Sequence, residues 1–599
     1  MHGFAGRLLH VDLGSGRSVH RTLDAARLRR CLGGVGLGTS LLHEYAPADL
    51  DPLDPANPLI FASAPLVGTA LTTTAKFAVV TRSPLTGFIA DSLSSSHFAV
   101  QLKRLGIDAL VITGRAASLA YLLIDGDAVD LRCGDELRGM SPGQAQARIR
   151  EDAKGEVCVA AIGLAGERLV RFATISNDGR HAGRGGSGAV MGSKNLKAIA
   201  VRGDVETPIA HAREVARIAD SLRRRSVGSL TDKYRGMGTV ANVSVFNRLA
   251  TLPTRNFQEA SFEDAEAISG ETLTATHFSR RHGCASCTIQ CERLFHAAGG
   301  GEQRLEYETL FALGPLCGIA DPEYVLQAAR LCDHYGLDTI STGGTLAWAI
   351  ESADKGVLPA ARAAALRFGG GDALLAAIPA IAAREDIGAL LAEGSRRAAA
   401  ETGGGSAQWA MHVKGLELPG YDPRTLKTMA LGLAVSPRGA CHNRSGAYDA
   451  DFSAAVDRFH GDASRGSIVA ASEDFAAVLD SLILCKFLRK CFADFHAEAA
   501  EMLAAVTGWD YSGEELRAVG ERIHTMKKLF NIRERWRTED DWLPPRLLDE
   551  PLTAGSAAGA RVTASELHEM RRAYYMARGW DEHGFVPSAK RAALGIAEG

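Results

Sequence analysis

The hydrophobic patterning of the chain changes near residue 205, and this change constrains the fold most. Before it, short apolar and β-branched runs such as residues 59–62 and 109–112 alternate with Gly, Pro and Asp, a pattern that predicts strands and tight turns. Helices are predicted to interrupt these strands at residues 23–32 and 142–154. After residue 205, long segments rich in Ala, Leu, Glu and Arg show helical periodicity. We therefore predict an α+β fold, β-rich at first and mainly helical afterwards.

The predicted helices of the second part cover residues 211–225, 324–335, 373–384, 387–401, 474–490 and 513–533. A length of 599 residues suggests about three or four domains. We predict three domains, a β-rich base at residues 1–204 and mainly helical domains at residues 205–412 and 413–599.

Charge and hydropathy exclude several classes of protein. A formal net charge of −3 argues against nucleic acid or an anionic membrane as the main partner. The longest apolar run, residues 373–383, is shorter than the roughly 20 residues that span a bilayer. The amino terminus lacks the apolar core of an export signal. We expect a cytoplasmic protein.

Three cysteines cluster as C-x2-C-x3-C: Cys284, Cys287 and Cys291. Three thiolates this close can share one soft-metal site, whose fourth ligand must come from elsewhere. A [4Fe–4S] cluster fits this spacing best. The alternatives are structural zinc, although it usually shows paired C-x2-C units, and a cysteine group that binds no metal. The odd total of eleven cysteines in a large chain is not a disulfide framework.

A glycine-rich segment, Gly183-x-Gly185-x-x-Gly188, matches the dinucleotide-binding fingerprint. That fingerprint should follow a strand directly, whereas the polar residues 177–181 precede this one. The segment therefore predicts a Rossmann site only weakly, and a plain tight turn is the commoner interpretation.

A short motif recurs. Residues 333–338 read D-x-x-G-L-D, and residues 480–485 are a relaxed copy that ends in Cys485. Together with the cysteine cluster, the two motifs resemble the tungsten aldehyde:ferredoxin oxidoreductase family. Further segments carry the same resemblance in order along nearly the whole chain, namely residues 81–88, 183–197, 306–308, 338–345, 417–424 and 438–442.

The resemblance implies a tungsten or molybdenum bis-pterin centre, with one pterin at each motif. It implies Cys485 as the fourth ligand of one [4Fe–4S] cluster, with the nearby Cys491 as the competitor. It also implies a Mg²⁺ ion that bridges the pterin phosphates near Ala182 and Gly183. The residues implied to bind these cofactors are Lys76, Leu93, Ser95, Arg180, Ala182, Gly183, Arg184, Asp333, Leu337, Asp338, Arg444, Asp480, Leu484 and Lys486.

Three positions depart from the family pattern. Lys76 stands where the family usually has an arginine, which keeps the charge but loses the planar fork. The segment at residues 91–96 also differs, and we expect Leu93 to keep a backbone contact there. Some family members bind a metal at a dimer interface through Glu-x-x-His, whereas this chain has residues Gln327 to Arg330 at that place. We predict that this interface metal is absent and expect an oligomer or a hetero-complex.

The resemblance implies no protein ligand to the tungsten and aligns Glu308 and His442 with the family's active-site residues. A buried glutamate with a raised pKa can activate water, and a histidine or tyrosine can polarise a carbonyl, so Tyr307 is a further candidate. The expected activity is oxidation of aldehydes to carboxylic acids. Electrons would leave through the cluster to ferredoxin or to an iron–sulfur partner subunit. A flavoprotein subunit can accompany such a partner. The alternatives are a low-potential reductase of acids or aromatic acyl-CoA on the same scaffold, and a non-catalytic iron–sulfur electron carrier.

Overall fold

The computed structural model of the chain describes residues 1–153, 155–359, 363 and 365–596. Lys154, at the end of the helix predicted for residues 142–154, lies outside the described residues. The first described residues form two six-stranded sheets followed by a mainly helical remainder, so the predicted α+β fold is confirmed. The division into domains near residues 204 and 412 stays a prediction.

The first sheet has the order β2-β1-β6-β3-β4-β5. Its strands are β1 (Arg7–Asp12), β2 (Arg17–Thr22), β3 (Leu59–Ala62), β4 (Lys76–Arg82), β5 (Ile89–Ser95) and β6 (Ala109–Thr113). β3 is buried along its whole length, as its continuous run of apolar residues predicts. β4 and β5 pair antiparallel, with Lys76 opposite Ser95. This register places two predicted cofactor-binding residues side by side at one end of the sheet.

The second sheet has the order β11-β10-β9-β12-β7-β8. Its strands are β7 (Ala120–Asp125), β8 (Ala128–Cys133), β9 (Cys158–Ala161), β10 (Ile175–Asn177), β11 (Arg180–Ala182) and β12 (Leu196–Arg202). The argument that the polar residues 177–181 exclude a strand was wrong, because β10 and β11 form a tight hairpin there. Asp178 and Gly179 make its turn with positive φ. The hairpin is antiparallel, so the glycine-rich segment does not open a parallel βαβ unit.

Shorter helices interrupt the two sheets, and longer ones form the remainder. The helices among the described residues are Ala25–Cys31, Gly34–Tyr45, His97–Arg104, Pro142–Asp152, Leu164–Glu167, Ser187–Ser193, Ala212–Arg225, Asp232–Gly236, Asn242–Arg248, Gly270–Thr276, Tyr307–Leu313, Pro322–Tyr335, Thr339–Asp354, Gly371–Ala383, Ile387–Leu391, Ser395–Thr402, Lys427–Val435, His442–Ser445, Tyr448–Asp451, Ser464–Ser481, Phe495–Thr507, Gly513–Arg533, Pro545–Asp549, Ala564–Ala577 and Ser588–Ala593. Two small sheets, β13 (Phe278–His282) with β14 (Glu292–His296) and β15 (Glu302–Leu305), and β16 (His412–Val413) with β17 (Leu416–Glu417), lie between them.

The predicted bounds of two helices were wrong. The segment 387–401 forms two helices, because Gly394 adopts φ 82° and Ser395 donates its backbone N–H to the carboxylate of Glu417 at 2.9 Å. The segment 474–490 leaves the α-helix after Ser481, and Ile483 takes a left-handed φ of 64°. The chain then turns into a 3-10 helix at Lys486–Cys491. This turn brings Cys485 out of the helix in which the sequence placed it.

A close approach between two helices fixes that turn. A Cβ atom on Gly34 would lie 2.5 Å from the carbonyl oxygen of Asp480 and 2.9 Å from that of Ser481. Only glycine at position 34 therefore lets the helix Gly34–Tyr45 pack against the end of the helix Ser464–Ser481. Among the described residues, no helix combines the length and the apolar character needed to cross a membrane.

Candidate active site

The ends of these elements surround one cavity of about 730 Å³. Of the residues that the sequence singles out, all line this cavity except Ala182, Leu484 and Cys287. The residues that the structure brings together are Lys76, Leu93, Ser95, Arg180, Gly183, Arg184, Cys284, Cys291, Tyr307, Glu308, Asp333, Leu337, Asp338, His442, Arg444, Asp480, Cys485 and Lys486.

Four cysteines lie together at one side of the cavity. The thiols of Cys284, Cys291 and Cys485 influence one another electrostatically, and Cys287 is within reach of the same group. The Cys284 sulfur lies 3.2 Å from the Ser95 hydroxyl. In the described part of the chain, no three His, Cys, Asp or Glu side chains are arranged to hold a single metal ion. Four grouped cysteine thiols are the ligand set that a [4Fe–4S] cluster takes.

Lys76 lies close to the cysteines and to Asp480. Burial alone would lower the pKa of Lys76, but the neighbouring Cys485, Cys284 and Asp480 groups outweigh burial and raise it. Lys76 therefore carries a positive charge beside the thiols. The competitor Cys491 does not line the cavity, and its sulfur donates to the Arg225 carbonyl oxygen at 3.6 Å.

The first Asp motif is held by partners on other elements. One Asp333 carboxylate oxygen lies 3.1 Å from Nε2 of His181, and the other accepts a hydrogen bond from Gln303 at 2.8 Å. Asp338 caps the helix Thr339–Asp354 by accepting the Ser341 backbone N–H at 3.1 Å. Its carboxylate also lies 3.4 Å from Nε of Arg184. The motif thus ends one helix and begins the next while both carboxylates face the cavity.

The second Asp motif belongs to a buried ion cluster. Arg444 donates to Asp480 at 2.7 Å and to the Asp91 backbone carbonyl at 2.7 Å. Lys527 donates to the Asp91 carboxylate, also at 2.7 Å. Burial alone would raise the pKa of Asp91, but Arg444, Lys527 and the more distant Arg438 outweigh it and hold the pKa well below its usual range.

Arg438 and Cys441 belong to the site although neither was selected from the sequence. Both line the cavity and are buried. Arg438 donates to the Ser92 hydroxyl at 3.2 Å and lies 3.7 Å from the Cys441 sulfur. Burial would raise the pKa of the Cys441 thiol, but Arg438, Arg444 and Arg184 outweigh it and lower that pKa. Both residues lie in segment 438–442, one of the segments that resemble the family. This resemblance is the feature of the sequence from which they could have been predicted as site residues.

Glu308 and His442 form a pair at the cavity wall. Oε1 of Glu308 lies 3.4 Å from Nδ1 of His442. Among the described residues, neither atom has a hydrogen-bond partner of suitable geometry. Burial raises the pKa of Glu308 to about 7. Burial, together with the charges of Lys486 and Arg184, lowers the pKa of His442 well below its usual range. At neutral pH the pair therefore consists of a neutral imidazole and a carboxyl group close to its midpoint.

Gly420 positions both residues at the start of the helix Tyr307–Leu313. Its backbone N–H donates to Oε2 of Glu308 at 3.0 Å, and its carbonyl accepts the Tyr307 hydroxyl. A Cβ atom at position 420 would lie 2.8 Å from the Tyr307 ring. The hydroxyl proton of Tyr307 is thus used by the backbone, which suits a positioning role better than the predicted catalytic one.

Several donors around the cavity have no partner in the described residues. The Nε atoms of Arg180 and Arg438 are buried without a hydrogen bond, whereas Nε of Arg444 is paired with the Asp91 carboxylate at 2.9 Å. A Cβ atom on Gly183 would meet only an Asp338 oxygen at 3.9 Å, so the backbone at Gly183 is open to a ligand. Unpaired guanidinium donors with an open glycine backbone fit a ligand that carries phosphates. The carboxylates of the two Asp motifs add acceptors for ring N–H groups.

Comparisons with known proteins identify the family of the chain. A sequence profile described as the N-terminal domain of aldehyde ferredoxin oxidoreductase matches residues 8–203, and one described as its domains 2 and 3 matches residues 216–596. The tungsten-containing aldehyde ferredoxin oxidoreductases of Pyrococcus furiosus and Thermococcus kodakarensis are each 38% identical, over 100% of both chains. The P. furiosus WOR-like subunit of aliphatic sulfonate oxidoreductase is 29% identical over 100% of this chain and 98% of its own length.

A solved structure shares the fold. The active-site complex BamBC of benzoyl coenzyme A reductase, solved with 1,5-dienoyl-CoA, superposes with a TM-score of 0.86. The match covers 99% of this chain and 97% of that one at 24% identity, which shows the fold alone. Both sequence profiles together cover nearly the whole chain. This protein therefore belongs to the aldehyde ferredoxin oxidoreductase family of oxidoreductase enzymes.

Proposed function

We propose that this enzyme oxidises aldehydes to carboxylic acids at a tungsten or molybdenum bis-pterin centre, with electrons leaving through one [4Fe–4S] cluster. The pairing of Glu308 with His442 carries the proposal, because a glutamate with a pKa of about 7 is matched to general base catalysis near neutral pH. The same cavity contains three of the four grouped cysteines and both Asp motifs.

The residues around the cavity fit the proposed cofactor. Asp333, Asp338 and Asp480 offer carboxylate acceptors, while Arg180, Arg184 and Arg444 offer charged donors. The backbone near Ala182 and Gly183 would serve the pterin phosphates and a bridging Mg²⁺ ion. The other proposed contacts come from Lys76, Leu93, Ser95, Leu337, Leu484 and Lys486.

The reaction converts an aldehyde and a water molecule into a carboxylic acid, two protons and two electrons. Glu308 in its ionised form accepts a proton from the water oxygen that attacks the carbonyl carbon. His442, neutral at pH 7, donates a hydrogen bond to the carbonyl oxygen and so stabilises the charge that develops there. Gly420 holds the Glu308 carboxylate, and Tyr307 holds Gly420. When bound, the bis-pterin centre supplies the acceptor for the two electrons.

The cysteine group supplies the way out for electrons. Cys284, Cys287, Cys291 and Cys485 would bind the cluster, and Lys76 lies close both to these thiols and to Asp480 of the second pterin motif. We propose that the electron acceptor is ferredoxin or an iron–sulfur partner subunit. A flavoprotein subunit would take the electrons on from that partner subunit. Exposed cations near the cysteine segments support an acidic carrier, namely Arg223, Lys233, Arg281 and Lys490.

A viologen-linked assay with benzaldehyde and with acetaldehyde tests the proposed activity. The metal-replete enzyme should reduce the viologen in the presence of at least one of the two aldehydes. Failure to oxidise any aldehyde, with metals and pterin present, would contradict the proposal. Reduction of an aromatic acyl-CoA by the same preparation would then identify the reductase alternative.

A further inference from the structure

One end of the cavity has an aromatic wall. Its five rings all line the cavity, and they belong to Phe246, Tyr307, Tyr421, Tyr448 and Phe452. Phe452 is 36% exposed and marks the place where the wall reaches the surface, whereas Tyr307 and Tyr421 are buried. The wall therefore extends from solvent to the interior of the site.

The rings contact one another in a continuous series. Phe246 stacks on Phe452 with centroids 5.2 Å apart, and it meets Tyr307 edge-to-face at 4.9 Å. Phe246 also lies 5.4 Å from Tyr421, which stacks on Tyr448 at 4.9 Å. Ring pairs with these separations are in favourable aromatic contact. The wall is thus a preformed apolar surface, and it is extended by Val245, on the same helix as Phe246, and by Leu249, which directly follows that helix.

The wall ends at the proposed reacting pair. The Tyr421 ring stacks on the His442 ring with centroids 5.4 Å apart. Tyr307 precedes Glu308 in the chain and shares Gly420 with it. Apart from Tyr307, no residue of the wall has been given a role in catalysis or cofactor binding. A substrate that follows the wall therefore presents its carbonyl to Glu308 and His442.

We propose that the aromatic wall makes aldehydes borne on an aromatic ring the preferred substrates of this enzyme. The inference rests on the proposed aldehyde oxidation and adds the substrate class. An aryl ring packs against the cavity-facing side of this wall and gains ring–ring contacts there, whereas a short alkyl chain leaves most of the wall in contact with water. Binding energy gained along the wall also fixes the orientation of the carbonyl at the reacting pair.

The test compares kcat/KM for benzaldehyde, cyclohexanecarbaldehyde and acetaldehyde in the holoenzyme and in its Phe246→Leu variant. Leucine keeps an apolar side chain but removes the ring. In the native enzyme, kcat/KM should be highest for benzaldehyde. In Phe246→Leu, the ratio of benzaldehyde to acetaldehyde should fall about tenfold, since one aromatic contact is lost. Phe585→Leu removes an exposed ring outside the cavity and should leave the ratio unchanged.

Calorimetric binding of benzoate and acetate to the holoenzyme gives a readout that does not depend on turnover. Benzoate should bind more tightly than acetate, and Phe246→Leu should reduce that difference. Equal kcat/KM for the three aldehydes, or an unchanged ratio in Phe246→Leu, would overturn the inference while leaving aldehyde oxidation intact. If no aldehyde is oxidised at all, the proposed function itself fails.

Discussion

Oε1 of Glu308 and Nδ1 of His442 lie 3.4 Å apart, although they come from different helices and neither atom has another hydrogen-bond partner among the described residues. Burial raises the pKa of Glu308 to about 7 and lowers the pKa of His442 well below its usual range. At neutral pH the carboxyl group is therefore only partly ionised, and the imidazole is uncharged. The pair supplies a base and a hydrogen-bond donor at one point of the cavity.

Replacement of Glu308 by glutamine should abolish aldehyde oxidation. The amide keeps the size and the contact with the Gly420 N–H but cannot accept a proton from water. Turnover should fall by about a hundredfold or more, while tungsten or molybdenum, iron and pterin contents stay unchanged. Glu302→Gln, on an exposed glutamate paired with Arg280, is the matched control and should retain activity.

The pH profile of the native enzyme should report the same glutamate. Because the pKa of Glu308 is raised to about 7, the proportion of ionised base increases as the pH rises through that value. We expect kcat/KM for aldehyde to increase from pH 6 to pH 8 and to level off above. A profile that is flat across this range would contradict the role of Glu308 as the base.

Replacement of Gly420 by alanine should lower both kcat and the free energy of unfolding. The added Cβ would lie 2.8 Å from the Tyr307 ring and from Phe311, so the start of the helix Tyr307–Leu313 must shift and Glu308 with it. Overpacking of this kind costs about 1–3 kcal/mol. Thermal unfolding and aldehyde kinetics would measure the two effects. Gly143→Ala, where a Cβ meets nothing within 4 Å, should change neither.

The grouping of the cysteines predicts that Cys485, and not Cys491, is the fourth ligand of the cluster. Cys485→Ala should remove iron from the purified protein, because Cys485 lies with Cys284, Cys287 and Cys291. Cys491→Ala should keep the native iron-to-protein ratio, because that sulfur donates to the Arg225 carbonyl oxygen and does not line the cavity. Iron analysis of both variants decides between them. Loss of iron in Cys491→Ala with full iron in Cys485→Ala would reverse the assignment.

Replacement of Asp91 by asparagine should destabilise the protein strongly. It leaves Arg444 and Lys527 buried without the carboxylate that they share, which typically costs about 3–5 kcal/mol. The lowered pKa of Asp91 means that its contribution is complete above the unfolded value of 3.8 and is lost only as the pH falls through the lower folded value.

The thermal unfolding midpoint of Asp91→Asn at pH 7 checks this expectation. Asp127→Asn is the comparison, because Asp127 is 73% exposed and its ion pair with Arg7 contributes little. Equal midpoints for the two variants would show that the Asp91 cluster does not stabilise the fold.

The sequence predicted those parts of the site that lie within single motifs. The two Asp motifs, the cysteine cluster and segment 438–442 each occupy a few consecutive residues, and the fold brings them to one cavity. The pairing of Asp333 with His181 was not predictable, because His181 sits in a hairpin that the polar sequence concealed.

Long-range pairs and local strain explain the other misses. Arg438 meets Ser92, and Lys527 meets Asp91, across most of the chain, and no local pattern in one sequence signals such a contact. The predicted helix 474–490 ends at Ser481, and Ile483 follows it with a left-handed φ beside Gly34 of another helix. Helical periodicity alone gave no sign of that turn.

Metal and pterin analysis of the native protein tests the central claim most directly. The account predicts four irons, one tungsten or molybdenum and two pterins for each chain. Four irons without tungsten, molybdenum or pterin would contradict it and would identify the chain as an electron carrier.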